Sequence, residues 1–353
     1  MRYHIMNKDT KVLFFDIPEN SADFNIVVMG VYNQALIPRP IKSEDDIKSW
    51  LVTRLRLINR NDLANELAMD VSTLEKITEL TNFISVTDTY WVQTDNITRH
   101  WSEISPYTNN LDSNIFLNYF DKSPIRLGAY SVAQISQRCW GKKDDNICFY
   151  KSGYDANIAF VEYQSSQLGK YLGFDIVEYR IENIDGRTVT VSPCICSEET
   201  GMYNVLELLG RSLDCRELFS LDFGEDEGVS QRKLIDMLLL DYLVLNTDRN
   251  MTNVGVLFDT DTNELKGIAP IYDLNHTLLY NSRPTEETLK EYLESIENDN
   301  SWYIEIFKYI LNIDRDYVKK LLTKASSYTF TGTYADIANE VLQHQLKLAY
   351  SLL

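Results

Sequence analysis

Three residues, Asp248, Asn253 and Asp273, have the types and spacing that phosphoryl transfer requires. The first two lie in NTDRNMTN (residues 246–253), a polar stretch that follows an almost unbroken apolar run. In phosphoryl transfer one Asp accepts or orients the proton of the attacking hydroxyl, while an Asn and a second Asp hold the metal that bridges the phosphates. The spacing D-x-x-x-x-N with a later Asp therefore predicts a proton-accepting Asp248 and two metal ligands. Taken alone, this spacing is also compatible with an ordinary polar loop.

A predicted hairpin indicates how these residues come together. Residues 254–259 and 265–273 are β-like, and the TDTNE between them favours a turn. An antiparallel hairpin centred near residue 263 places Asn253 beside Asp273. Amide and carboxylate oxygens at one rim suit Mg²⁺, which takes a few protein oxygens together with water and phosphate oxygens.

A second Asp motif, LDFGED (residues 221–226), contains the letters of the kinase metal motif but precedes Asp248 in the chain. Because the metal Asp of kinases follows the catalytic loop, we interpret Asp222-Phe223-Gly224 as a turn before the helix that starts near residue 230. Asp273 is the better metal ligand.

A cation for the nucleotide phosphates is also required, commonly a strand Lys held by a helix Glu. ICFYKSG supplies Lys151, and the predicted helix that ends at Gly173 supplies Glu162. Each taken alone is more often a solvated surface charge. Their order ahead of the catalytic loop favours the functional reading.

Two further segments are candidates for nucleotide contacts. Backbone groups from Cys196 to Glu198, where strands give way to helices, are predicted to bind an adenine edge. Upstream, LGAYSVAQISQRCWGKKDDN has no G-x-G-x-x-G, so Ser131, Ser136 and Arg138 are only candidates for phosphate binding.

The pattern along the chain predicts an α+β protein, with a polar connector at 96–114 and with strands at 125–135 and 175–184 in a small β-rich lobe. We expect an N-terminal accessory module at 1–120, a β-rich small lobe with one helix at 121–200, and a helical large lobe at 201–353. The DTYWV cluster at 88–92 is expected to be core rather than an exposed interface.

Composition limits the possible partners. The 353 residues carry 52 acidic and 34 basic side chains, a formal charge of −18 that disfavours direct binding to nucleic acid or to anionic membranes. No apolar run reaches membrane-spanning length, and the N-terminus lacks a secretory pattern, so we expect a cytoplasmic protein. The five cysteines are then expected to be reduced thiols rather than disulfides or a zinc site.

The predicted catalytic loop resembles the catalytic segment of HipA-like serine/threonine protein kinases, which has an N-x-D-R-H-x-x-N-f-G pattern and a later P-x-Y-D. The matching segments here are LLLDYLVLNTDRNMTNVGVLFD and, after it, IAPIYDLNHTLL. Four further segments resemble the small lobe of that family: RCW, FYKSG, VEYQSSQLGKYLG and CICSEETG. The resemblance implies Asp248 as catalytic base, Asn253 and Asp273 as Mg²⁺ ligands, Lys151 as the phosphate-binding lysine and Glu162 as its partner. One departure is Asn250, where the family usually has His; an amide keeps hydrogen bonding but cannot carry a proton.

The resemblance also implies a two-lobed, protein-kinase-like fold and a function. Members of this family are commonly bacterial toxins that phosphorylate translation components, autophosphorylate a serine in the phosphate loop and pair with an antitoxin protein. We therefore expect an ATP- and Mg²⁺-dependent protein kinase with a protein substrate. A kinase of small molecules and a nucleotide-binding pseudokinase or regulatory module remain alternatives.

Overall fold

The computed structural model describes residues 1–17, 26–54, 75, 78, 81–109, 136–143, 146–153, 156–184, 186–279, 286–298 and 302–353. The predicted boundary between residues 120 and 121 and the predicted strand at 125–135 lie outside these ranges. Within them, no helix is long and apolar enough to cross a bilayer.

The N-terminal region is an antiparallel sheet with a helix against it. Its strands are ordered β3-β2-β1-β4. Tyr90 and Trp91 of the DTYWV cluster are fully buried, as predicted. The Ser43 hydroxyl donates to Asp46 at the start of the helix, with an O–O distance of 2.8 Å. The elements are β1 (Arg2–Asn7), β2 (Thr10–Asp16), β3 (Val27–Val31), α1 (Glu44–Arg54), β4 (Tyr90–Thr94) and the short α2 (Trp101–Ile104).

The next region is the predicted small β-rich lobe with one helix. Its four strands form an antiparallel sheet of order β5-β6-β8-β7. The helix ends at Gly173, whose φ of 90° is left-handed and therefore stops the helix, as the sequence predicts. The strand expected at 175–184 is shorter and starts at Arg180. The elements are β5 (Ser136–Lys143), β6 (Asn146–Gly153), α3 (Asn157–Leu172), β7 (Arg180–Ile184) and β8 (Arg187–Pro193).

Helices dominate the rest of the chain, apart from a three-stranded sheet of order β11-β10-β9. The central helix is α5, because residues 234–244 are all buried and their apolar side chains belong to the largest apolar core. The elements are β9 (Thr200–Asn204), α4 (Val205–Leu209), α5 (Glu227–Val244), β10 (Gly255–Asp259), β11 (Leu265–Ile268), α6 (Glu286–Asn298), α7 (Trp302–Ile313), α8 (Arg315–Ala325) and α9 (Ala335–Leu352).

The small lobe and the large lobe meet where α3 packs on α5. A Cβ added at Gly169 would lie 2.6 Å from Ile176 Cδ1 and 3.2 Å from Leu240 Cδ2. Only a residue without a side chain allows this close approach, so the helix that carries Glu162 is fixed against the central helix.

The N-terminal sheet packs on the β10–β11 hairpin. Phe258 stacks on Tyr203 with ring centroids 4.2 Å apart, and both belong to the apolar core of the N-terminal region. At the hairpin turn, Asn263 has a φ of 61°, and its Nδ2 donates to Ile37 O over 2.8 Å. Arg39 Nε donates to Asn263 O over 2.8 Å. The hairpin therefore joins the N-terminal region to the large lobe.

A buried carboxyl between α5 and α8 makes stability depend on pH. Burial raises the pKa of Asp236 to about 6, although Tyr317 Oη donates to its Oδ1 over 2.7 Å and Arg232 is nearby. Between the ordinary pKa of 3.8 and 6 the folded state holds more protons than the unfolded state, so stability falls as pH rises through this window.

We predict that Asp236→Asn removes this dependence, since the amide keeps an acceptor for Tyr317 and has no charge to desolvate. At pH 7.5 the variant should be more stable than wild type by at most about 3 kcal/mol, and near pH 4 the two should be equal. Urea denaturation at both pH values measures this. Equal stability at pH 7.5 would contradict it.

Candidate active site

Lys151 lies at the centre of a buried cluster of charges. It is on β6, and its Nζ is 3.3 Å from Oε1 of Glu162 on α3 and in direct contact with Oδ1 of Asp273. The Lys151 and Glu162 side chains are 5% and 1% exposed. Three of the residues selected from the sequence therefore meet around one ammonium group.

Glu162 is held by both of its oxygens. Thr190 Oγ1 donates to Oε2 over 2.7 Å, while Lys151 binds Oε1. Burial raises the pKa of Glu162 and the nearby charge of Asp273 adds to this, whereas Lys151 and the Thr190 hydrogen bond lower it. A carboxylate fixed in this way holds the lysine in one position.

The loop that carries Asp248 is anchored to α5 by a buried ion pair. Arg249 Nε and Nη2 donate to the two carboxylate oxygens of Asp241 over 2.8 and 3.0 Å, and both side chains are 0% exposed. Asn246 Nδ2 also donates to Asp241 Oδ1, over 2.7 Å. The chain leaves the helix through Leu245, which has a left-handed φ of 51°. The start of the loop is thus fixed to the most buried helix.

Arg249 also joins the loop to the segment of Asp273. Its Nη1 donates to Asn253 O over 2.7 Å and to Tyr272 O over 3.2 Å. The backbone N–H of Asp273 donates to Tyr179 Oη over 3.0 Å, and the residue has a left-handed φ of 58°. Asn253 and Asp273 are therefore brought to one edge by a shared arginine.

The hairpin exists as predicted, but its register is different. Val256 lies opposite Ile268, whereas a centre near residue 263 would have placed it opposite residue 270. The register shifts between Leu257 and Phe258, and β11 ends at Ile268. The prediction that strand pairing places Asn253 beside Asp273 is therefore wrong, because the chain leaves the sheet before Asp273.

Asp248 is half-buried with a fixed backbone. Its N–H donates to Asn246 Oδ1 over 3.1 Å, and its carbonyl accepts from Asn253 Nδ2 over 2.9 Å. The carboxylate accepts from Asn250 Nδ2 over 3.1 Å. A carboxylate held at the protein surface in this way can accept a proton from an approaching hydroxyl.

The donor set fits a Mg²⁺ ion. Because Asn253 uses its Nδ2 on Asp248, its Oδ1 remains an acceptor, and the Asp273 side chain is 22% exposed. In the part of the chain that the structure describes, no group of three or more His, Cys, Asp or Glu side chains is placed so that it could hold a metal ion. A cation at Asn253 and Asp273 would therefore complete its shell with phosphate oxygens and water.

The segment between the lobes is held by the N-terminal region. Trp101 Nε1 and Ser105 Oγ donate to Glu198 Oε1 over 2.9 and 2.8 Å. Glu198 O accepts a hydrogen bond from the Thr260 hydroxyl. The Glu198 side chain and carbonyl thus bind protein groups. The connector predicted near residue 101 is in fact a short helix, α2, that packs on this segment.

Cys196, the other residue predicted at the adenine edge, is buried. The interaction between the two thiols lowers the pKa of Cys194 and raises that of Cys196. Adenine binding by the Cys196 backbone stays a prediction. Ser131 and the side chains of Ser136 and Arg138 lie outside the described residues.

Four residues of the site were missed from the sequence: Thr190, Tyr179, Asp241 and Arg249. The sequence does indicate that Asp241 needs a partner, since a charge inside an apolar helix requires one when it is buried. Arg249 was the nearest cation beyond that helix. Thr190 and Tyr179 had no such signal.

Asp222-Phe223-Gly224 is a turn before α5, as predicted. Gly224 N donates to Asp222 Oδ1 over 2.8 Å, and Gly224 has a φ of 78°. A Cβ at Gly224 would lie 2.2 Å from Leu265 O, so a close backbone contact also favours glycine here.

We predict that Asp241→Ala destabilises the fold by about 3 to 5 kcal/mol, because Arg249 would remain buried without its carboxylate. Asp222→Ala, which removes an exposed Asp from a turn, should cost about 1 kcal/mol or less. Urea denaturation of both variants checks this. Equal losses in the two variants would show that the buried pair does not stabilise the fold.

Comparisons of the sequence with protein-family models and with curated proteins give no match. Among solved structures, the chain is similar to HipA of the Shewanella oneidensis MR-1 toxin–antitoxin system, which was solved with HipB and operator DNA. The TM-score is 0.57 and the sequence identity is 11%, and the alignment covers 99% of this chain and 97% of that chain. It is also similar to the Helicobacter pylori proinflammatory kinase CtkA, with a TM-score of 0.42 and 17% identity over 61% of this chain and 90% of that chain. The likeness to HipA extends over the whole chain, and the protein has the HipA-like, two-lobed protein-kinase-like fold that its sequence predicts.

Proposed function

We propose that the protein is an ATP- and Mg²⁺-dependent serine/threonine protein kinase of the HipA-like type. The observation that carries this proposal is the buried Lys151, which binds Glu162 and Asp273 at once. A solvated surface lysine is not expected to lie buried between a helix carboxylate and a loop carboxylate that belong to different lobes. The HipA-like fold supports the same assignment.

Each residue has a role in this proposal. Lys151 binds phosphate oxygens of the nucleotide, and Glu162 keeps its ammonium group in place. Asp248 accepts the proton of the attacking serine or threonine hydroxyl. Asn253 and Asp273 supply the protein oxygens for Mg²⁺. The ion, when bound, offsets negative charge on the phosphates.

The biological role that we propose is that of a growth-inhibiting toxin that phosphorylates itself and a translation-related protein in the cytoplasm. The support is the family resemblance of the catalytic loop and the fold likeness to HipA, whose structure was solved with HipB and operator DNA. An antitoxin protein is the corresponding proposed partner. The formal charge of −18 disfavours direct contact of this chain with DNA.

A nucleotide-binding pseudokinase is the second candidate. The contact between Lys151 and Asp273 favours it, because the lysine occupies one oxygen of the proposed metal ligand. In the kinase proposal this contact gives way to nucleotide and cation. In the pseudokinase it would remain.

We predict that wild-type protein incubated with ATP and Mg²⁺ transfers a phosphoryl group, seen as added mass on the chain and as new phosphoserine or phosphothreonine in a cell-free translation extract. Asp248→Asn should lose roughly 100-fold or more in rate because the base is absent. Asp273→Ala should lose a similar factor because a metal ligand is missing. Intact-mass and phosphopeptide measurements over time check the rates.

The matched control is Asp222→Asn, which changes an exposed Asp in the turn before α5 and should keep the wild-type rate. Thermal melts with ATP complete the test. Nucleotide at about 100 times its dissociation constant should add roughly 2.7 kcal/mol of stability. A melt shift without any phosphoryl transfer would favour the pseudokinase, and the absence of both would contradict nucleotide binding altogether.

A further inference from the structure

Asn250 has a side chain whose orientation is set by its neighbours. Its Oδ1 accepts from the backbone N–H of Thr252 over 2.9 Å and from the Thr252 hydroxyl over 2.5 Å. A backbone N–H can only donate, so the oxygen of the amide must face Thr252. The Nδ2 group must then face the other way.

The Nδ2 group of Asn250 faces Asp248. Asn250 Nδ2 lies 3.1 Å from Asp248 Oδ1 and 3.1 Å from Asp248 O. On the opposite oxygen, Asn253 Nδ2 lies 3.4 Å from Asp248 Oδ2. Two amides therefore flank the two oxygens of one carboxylate, and this arrangement limits its rotation about χ2.

Asn250 is itself exposed and packs in none of the apolar cores of the described residues. Its hydrogen bonds to Asp248 and Thr252 are within the loop. Replacing it should therefore affect the loop carboxylate and leave the stability of the fold nearly unchanged.

We propose that Asn250 is a positioning residue that orients the Asp248 carboxylate for proton acceptance. This inference rests on the proposed kinase function and concerns the position where the resembling family usually has His. An imidazole changes charge near pH 6.5, whereas an amide has the same charge at every physiological pH. The donor that Asn250 offers to Asp248 is thus the same throughout this pH range.

The side-chain hydrogen bonds of Asn250 go to Asp248 and Thr252, so we expect it to affect the chemical step rather than nucleotide binding. A change in orientation at the base is expected to lower kcat, while KM for ATP stays constant. A merely structural defect of the loop would also disturb Asn253 and raise KM.

The test uses Asn250→Asp, which keeps the oxygen acceptor for Thr252 and replaces the donor to Asp248 with a second carboxylate. We expect kcat for phosphoryl transfer from ATP to fall roughly 100-fold with KM for ATP unchanged, because misplacement of a catalytic group by about 1 Å has an effect of this size. The acceptors are the chain itself and the proteins of a cell-free translation extract.

Two further variants complete the design. Asn250→His restores a donor, so we expect a rate at high pH well above that of Asn250→Asp and a new inflection in the kcat profile near pH 6.5 that wild type lacks. The matched control is Asn183→Asp, at the exposed end of β7, where the side-chain oxygen accepts from Gly186 N over 3.1 Å. It should keep the wild-type rate, and thermal melts should be similar for all three variants.

The outcomes separate the two proposals. If wild type is active and Asn250→Asp has the same kcat, or loses activity only through KM for ATP, the positioning role is wrong and the kinase assignment stands. If wild type transfers no phosphoryl group to either acceptor, both proposals are wrong.

Discussion

The site depends on the buried ion pair between Arg249 and Asp241. Two charges at 0% exposure lose their hydration, and such a pair is tolerated only when the geometry is good and the remaining hydrogen bonds are satisfied. Here both oxygens of Asp241 are bound, and Arg249 also donates to two carbonyls, that of Asn253 itself and that of Tyr272, which precedes Asp273. The pair thereby transfers the rigidity of α5 to the loop of Asp248 and to the segment of Asp273.

The N-terminal region is part of the scaffold of the site. It holds Glu198 through Trp101 and Ser105, and Met202 N donates to Thr87 O over 2.8 Å. These contacts lie on both sides of the point where β9 begins, between the two lobes. A change in how this region packs would therefore change the segment on which the relative position of the lobes depends.

The elements that carry the site could largely be predicted from sequence, because their signals are local. The helix with Glu162 has apolar periodicity and a glycine stop, and the strand with Lys151 is a continuous β-like run that the structure places at Asn146–Gly153. The register of the hairpin could not be predicted, since it depends on a shift between Leu257 and Phe258. Turn residues alone do not encode such a shift.

Contacts between residues far apart in the chain could not be predicted from the sequence either. The backbone of Glu198 was assigned to a nucleotide-binding segment by its position in the chain, whereas nothing in the sequence indicates that its carboxylate binds Trp101, 97 residues away. Asp241 shows the opposite case, because the burial of a charge in an apolar helix predicts that a partner exists without naming it. The chemistry of single residues is thus more predictable than their contacts.

On the proposed function, the charges around Lys151 would couple the binding of nucleotide to the binding of a cation. One ammonium group faces two carboxylates, Glu162 and Asp273, so the cluster already has an excess of negative charge. Phosphate oxygens that approach Lys151 compete with Asp273 for it and add further negative charge to a buried site. A divalent cation on Asp273 would offset both penalties, since it would take over the carboxylate that the lysine releases. On the proposed function, we therefore expect nucleotide to bind together with its cation rather than alone.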